Sequence, residues 1–224
     1  MTTSTQTAPP HPAKYTAALL PVFVDLLTGC TNVLDPMAGV GGIHRLREWL
    51  PELHTVGVEL EPEWAAAHPE TRQGDALALP FDAGTFDAVC VSPCYGNRMA
   101  DHHEAKDKSR RHTYRHSLGR PLHSHNAGAL QWGDEYRRFH VAAWTEARRV
   151  LRPGGVFLLN CKDFVRAGAW VHVTQWHVDT LTSLGFCVVN RRRVGCPGQR
   201  HGANGDKRAD HEDVVLLRRG EVAE

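Results

Sequence analysis

Short apolar runs and helically spaced apolar positions alternate along the chain. The runs at 32–34, 55–60, 86–91 and 156–159 are bounded by glycine, proline or acidic residues, the pattern of buried strands. Between them, Leu19, Leu20, Phe23, Val24 and Leu27 share one helical face within 14–27, and Tyr136, Phe139, Ala143, Ala147 and Val150 do so within 134–151. Further helices are predicted through Ile43, Leu46 and Leu50, around Trp64, and over 173–184. Gln73-Gly74-Asp75 marks another strand edge, Pro153-Gly154-Gly155 stops the long helix, and 186–194 and 214–217 read as a terminal strand pair. Strands alternating with helices predict an α/β fold: a Rossmann-like, doubly wound, mostly parallel seven-stranded sheet with an antiparallel C-terminal pair.

Residues 1–10, rich in Thr, Ser and Pro, are expected to form a disordered tail, and 11–224 one domain. The segment 98–133 breaks the compact pattern as a long polar insertion. Between 98 and 134 it carries seven Lys/Arg against four acids, with His102, His103, His112, His116, His123 and His125. A basic loop placed directly after a strand end can cover a pocket mouth and grip phosphates. His112 and His116 are four apart, yet no cysteine or carboxylate completes a metal set nearby, so no metal is expected.

Composition narrows the classes. Of 224 residues 42% are apolar and 23% charged, and the formal net charge of +1 gives no global basic field for nucleic acid. Six cysteines without a CxxC pair read as buried free thiols of a reducing compartment. No apolar run reaches the ~18 residues of a membrane span, so a cytoplasmic protein without membrane partners is expected.

Two strand ends carry the chemistry. Asp35-Pro36-Met37-Ala38-Gly39-Val40-Gly41-Gly42 is a glycine turn that brings backbone close to a ligand. It lacks the spacing of a dinucleotide fingerprint and the Lys-Ser/Thr of a phosphate loop. Glu59 ends the next strand, placed to accept hydrogen bonds from a ribose diol, and Asp75 with Ala76 follows the third, placed for an adenine amino group. A cofactor with ribose and adenine but no phosphate grip matches S-adenosyl-L-methionine.

The second strand end, Ser92-Pro93-Cys94-Tyr95-Gly96-Asn97-Arg98, resembles the corner of the amino-group methyltransferases of nucleic acids, which reads Asp, Asn or Ser, then Pro-Pro, then Tyr or Phe. The resemblance extends to the glycine turn, Glu59, Gly74-Asp75 and the segment 11–16, which these enzymes place against the methionine end of the cofactor. It implies the class I methyltransferase fold and direct methyl transfer to an exocyclic amine of a base in DNA. Ser at the first corner position implies cytosine N4, with adenine N6 next. Ser92 and Pro93 would orient the amine, and Tyr95 would stack on the base. Asn97, Arg98, Arg200 and Asn204 are candidate substrate contacts. The departure is Cys94, where the family has its second proline. It leaves open a cytosine-C5 methyltransferase with Cys94 as nucleophile and an inactive cofactor-binding module, and the same corner also serves enzymes that methylate guanine N2 in RNA or a protein glutamine.

Overall fold

The computed structural model describes residues 8–100, 113–196 and 207–221. Its centre is a seven-stranded sheet in the order β3-β2-β1-β4-β5-β9-β8. The strands are β1 Asn32–Asp35, β2 His54–Glu59, β3 Thr71–Gln73, β4 Phe86–Val91, β5 Leu151–Cys161, β8 Phe186–Gly195 and β9 His211–Arg219. β1 to β5 run parallel, and β9 pairs antiparallel with both β5 and β8. The chain winds outward from β1 through β2 and β3, then returns to β4 on β1's other side. That reversal opens a crevice at the carboxyl ends of β1 and β4, where sheets of this kind bind ligands.

Each face of the sheet is covered. Because side chains alternate along a strand, Val89 and Val91 of β4 join Leu34, Phe157, Leu159 and Leu217 beneath α4 (Asp134–Val150) and α5 (Val173–Ser183). Ala88 and Cys90 join Val33, Leu158 and Leu216 beneath α1 (Leu19–Leu26). Asp134 and Glu135 in the first turn of α4 and Arg148 and Arg149 in its last complement the helix dipole.

Three elements depart from the pattern read in the sequence. The segment after the glycine turn, Gly42–Glu48, is a 3-10 helix rather than an α-helix. β5 begins at Leu151, directly from α4, because a register shift between Phe86↔Leu151 and Ala88↔Val156 absorbs Pro153-Gly154-Gly155 within the strand. A small hairpin, β6 Phe164–Arg166 with β7 Ala169–Val171, turns through Ala167 (φ 49°) and Gly168 (φ 80°). The described parts of the insertion are 98–100 and 113–133; the latter holds α3 Tyr114–Leu118 and packs beside α2 (Pro62–Ala65). No helix among the described residues is long and apolar enough to cross a membrane.

Candidate active site

A cavity of ≈ 580 Å³ opens at the β1/β4 reversal and is lined by both predicted strand ends. On one side stand Asp35, Pro36, Met37, Ala38, Gly39, Gly41, Gly42, Glu59, Asp75 and Ala76; on the other stand Ser92, Pro93, Tyr95 and Asn97. The structure thus gathers the two groups in one space. Arg200, Asn204 and the side chain of Arg98 lie outside the described residues, as do His102, His103 and His112.

The glycine loop is held by its neighbours. Glu59 Oε2 accepts from the Gly39 N–H at 2.9 Å and Oε1 from the Glu61 N–H at 2.9 Å. The Leu60 N–H also bonds this carboxylate, which leaves one of its roughly four acceptor sites for a hydroxyl of the diol. Gly41, at φ 81°, has no room for a side chain: an added Cβ would stand 2.8 Å from both His44 and His68. Asp35 is buried, accepts from Tyr15 Oη at 2.8 Å and from the Met37 N–H at 3.0 Å, and burial pushes its carboxyl up to about 7. Tyr15 belongs to the segment 11–16, which crosses the loop: the His11 ring meets Trp64 at 4.4 Å and lies 3.1 Å from where a Gly39 Cβ would stand. Asp75 Oδ1 accepts from the Leu77 N–H at 2.8 Å, and its Oδ2 pairs with His125 of the insertion at 3.2 Å.

The insertion closes over this half. Arg120 forks onto Glu63 (2.9 and 2.6 Å) and reaches the buried Glu61 at 2.8 Å. The Glu61 Oε1 also accepts from the His123 N–H and from Asn126 Nδ2, each at 2.8 Å. This grip comes from residues 57 to 65 positions apart in the chain, and a local motif carries no signal for it.

At the other end, Ser92 Oγ and Tyr95 Oη are 3.0 Å apart, and Asn160 Nδ2 donates to both, at 3.2 and 3.4 Å. Asn160 also donates to Glu212 Oε2 at 2.7 Å, and both residues line the cavity. The sequence reading did not place Asn160 or Glu212 in the site. The Tyr95 hydroxyl is therefore engaged inside the polar cluster while its ring borders the cavity. Asn97 Oδ1 accepts from the Met99 N–H at 2.9 Å, shaping the chain as it leaves the corner.

Cys94 packs with Trp64, Tyr114 and Leu118, and its carbonyl accepts from Tyr136 Oη at 2.7 Å. Burial pushes its thiol up to about 12, so it stays protonated near neutrality. That setting does not make a nucleophile. His44, His68 and Glu70 place metal-ligand atoms within 4.8 Å of one another. Yet both His44 nitrogens already meet threonine hydroxyls (Thr55 at 2.8 Å, Thr71 at 2.9 Å), and its ring stacks on His68 at 3.8 Å and 15°. Two near-parallel imidazoles cannot both direct their in-plane lone pairs at one ion, so the trio does not fit a metal.

No protein-family model matches the chain, and no curated protein matches it in sequence. Solved structures do match in fold. A SAM-dependent methyltransferase from Methanosarcina mazei is 13% identical with a TM-score of 0.58, over 94% of this chain and 100% of that one. The 1,6-didemethyltoxoflavin-N1-methyltransferase of Burkholderia thailandensis, solved with S-adenosylhomocysteine, is 20% identical with a TM-score of 0.52, over 92% and 79%. The cyclase SpnF is 15% identical with a TM-score of 0.56, over 94% and 85%. Methyltransferases and a cyclase share this architecture, so the likeness speaks to fold. The chain has the Rossmann-like class I methyltransferase fold.

Proposed function

We propose that the protein is an S-adenosylmethionine-dependent methyltransferase acting by direct transfer on an exocyclic amino group of a base in DNA, cytosine N4 first and adenine N6 next. One observation carries this reading: the glycine loop after β1 and the Ser92-Pro93 corner after β4 open from adjacent strands onto a single cavity.

Glu59 would accept a ribose hydroxyl, Asp75 and Ala76 would border the adenine, and Asp35 with 11–15 would face the methionine end. The cofactor supplies a sulfonium methyl. An exocyclic amine is a weak nucleophile because its lone pair is delocalised into the ring. Ser92 Oγ, fixed by Asn160, accepts an amine hydrogen and turns the lone pair out of the ring plane, while Tyr95 borders the base. Structural neighbours solved with S-adenosylhomocysteine or sinefungin support the cofactor assignment. The protonated Cys94 weighs against a covalent cytosine-C5 route.

The test is transfer of labelled methyl groups to unmethylated genomic DNA, followed by nucleoside separation and mass spectrometry. Labelled N4-methylcytosine is the expected product. N6-methyladenine would reverse the order of bases, and label in RNA or protein alone would overturn DNA as acceptor.

A further inference from the structure

Glu212 is a carboxylate buried at the acceptor end of the cavity, 9% exposed, and the amine chemistry above leaves it without a role. Its position follows from the one reversal in the sheet. β9 runs antiparallel to β5, so its first residues, rather than its last, stand beside the carboxyl end of β5; the ladder pairs Cys161 with Asp213 and Asn160 with Val214. Glu212 pairs on its other side with Val194 of β8.

Three groups face its carboxylate: Asn160 Nδ2 from β5 at 2.7 Å, the Cys196 thiol beyond β8, and Tyr95 from the corner. Lys162 donates to the Cys196 carbonyl at 3.3 Å and also bonds the Cys196 thiol. Glu212 also fixes the Asn160 amide. Turned the other way, that amide would set its oxygen against the carboxylate, so Nδ2 must face Glu212. Asn160 Oδ1 is consequently buried with no partner. The donors at the acceptor end (the Asn160 amide hydrogens, the Ser92 and Tyr95 hydroxyls and the Cys196 thiol) are turned toward one another or toward Glu212, while Asn160 Oδ1 and further lone pairs of the carboxylate stay open to a ligand that donates.

We propose that Glu212 stabilises the positive charge that arrives on the acceptor nitrogen and takes the proton that nitrogen releases; this rests on the amine-transfer reading. The nitrogen's lone pair forms the new N–C bond as the C–S bond breaks, with that electron pair staying on sulfur. Positive charge passes from sulfur to nitrogen, and the nitrogen's proton passes to the Glu212 carboxylate. A fixed buried carboxylate beside the nitrogen favours that shift of charge over its reverse.

The test uses two cofactor analogues, so it does not depend on knowing the acceptor. Sinefungin carries a protonated amine where the sulfonium methyl stands, and S-adenosylhomocysteine carries neither. Both are titrated by calorimetry into the wild-type protein and Glu212→Gln, which keeps an oxygen for Asn160 Nδ2 and removes the charge. The wild type is expected to prefer sinefungin by a ratio on the order of tenfold larger than the variant does, with S-adenosylhomocysteine affinity alike in both. Equal ratios overturn the proposal. If neither analogue binds the wild type, the cofactor reading falls and the proposal with it. If the ratio changes as expected but no DNA is methylated, the proposal stands and the choice of DNA falls.

Discussion

Asp35 sits where a carboxylate ionises only against resistance, its carboxyl held up to about 7 by burial despite bonds from Tyr15 and Met37. Between the ordinary value of 3.8 and about 7 the folded protein holds this proton more tightly than the unfolded chain does. Asp35 therefore disfavours folding increasingly as pH rises through that window, and Asp35→Asn flattens that part of the stability profile. A cationic methionine-like tail beside Asp35 would draw the proton off. Calorimetry of S-adenosylhomocysteine binding at pH 6 is then expected to show proton release, with enthalpies that depend on the buffer; buffer-independent enthalpies would remove Asp35 from the methionine end. Glu59→Gln leaves a weaker acceptor for the Gly39 N–H and the diol, and at least a tenfold loss of cofactor affinity is expected, since bonds to charged groups contribute about 1.5–3 kcal/mol. Cys94→Ala should retain methyl transfer, because a thiol pushed up to about 12 contributes packing rather than nucleophilicity. Loss of transfer in a variant that still folds and binds cofactor would restore the thiol to the mechanism.

The insertion acts as an element through Arg120. Removing its guanidinium (Arg120→Ala) leaves Glu61 buried beside fewer donors, and we expect a stability loss of about 1–3 kcal/mol, reduced by the partial exposure of Arg120 itself. Cofactor affinity should fall with it, because Asn126 and His125 lose the support that holds them over Glu61 and Asp75; an unchanged affinity would separate the insertion from the pocket. Sequence signals were uneven across these elements. β1, β2 and β4 are buried on both faces and so appear as uninterrupted apolar runs, and the glycine turn and Ser92-Pro93 corner announce themselves by residue type. The early start of β5 was hidden because Pro153-Gly154-Gly155 is turn chemistry that a register shift happens to accommodate. Glu212 and the Arg120 fork were hidden for another reason: each acquires its meaning from partners 52 to 59 positions away, and nothing in its own neighbourhood marks it.

For the whole molecule, three buried imidazoles and the half-buried His11 outweigh Asp35 in acid. His11, His44 and His140 are lowered to about 4 and His177 well below its ordinary 6.5, in each case chiefly by burial. Folding keeps these rings neutral, so their contribution is intact above 6.5 and is lost as pH falls below it, where the unfolded chain takes up protons first. The melting temperature should drop between pH 6.5 and 5, and His140→Phe should lessen the drop. A flat profile would mean that the rings are protonated without cost. His177 bonds Tyr136 Oη at 2.8 Å and accepts from Trp144 Nε1 at 3.0 Å, and Tyr136 in turn donates to the Cys94 carbonyl at the corner. The reversed β9 has a consequence of another kind. The cofactor half is built from 11–15, the glycine turn, Glu59, Asp75 and Ala76 with His125 and Asn126 of the insertion over it, whereas the amine-facing cluster draws on the corner, β5 and the second residue of β9. The acceptor half thus draws on stretches of sequence that the glycine turn does not share, and Glu212, the second residue of β9, stands in its wall. Exchanging the start of β9 between relatives would be a way to retarget the methyl group while the glycine turn that holds its donor stays untouched.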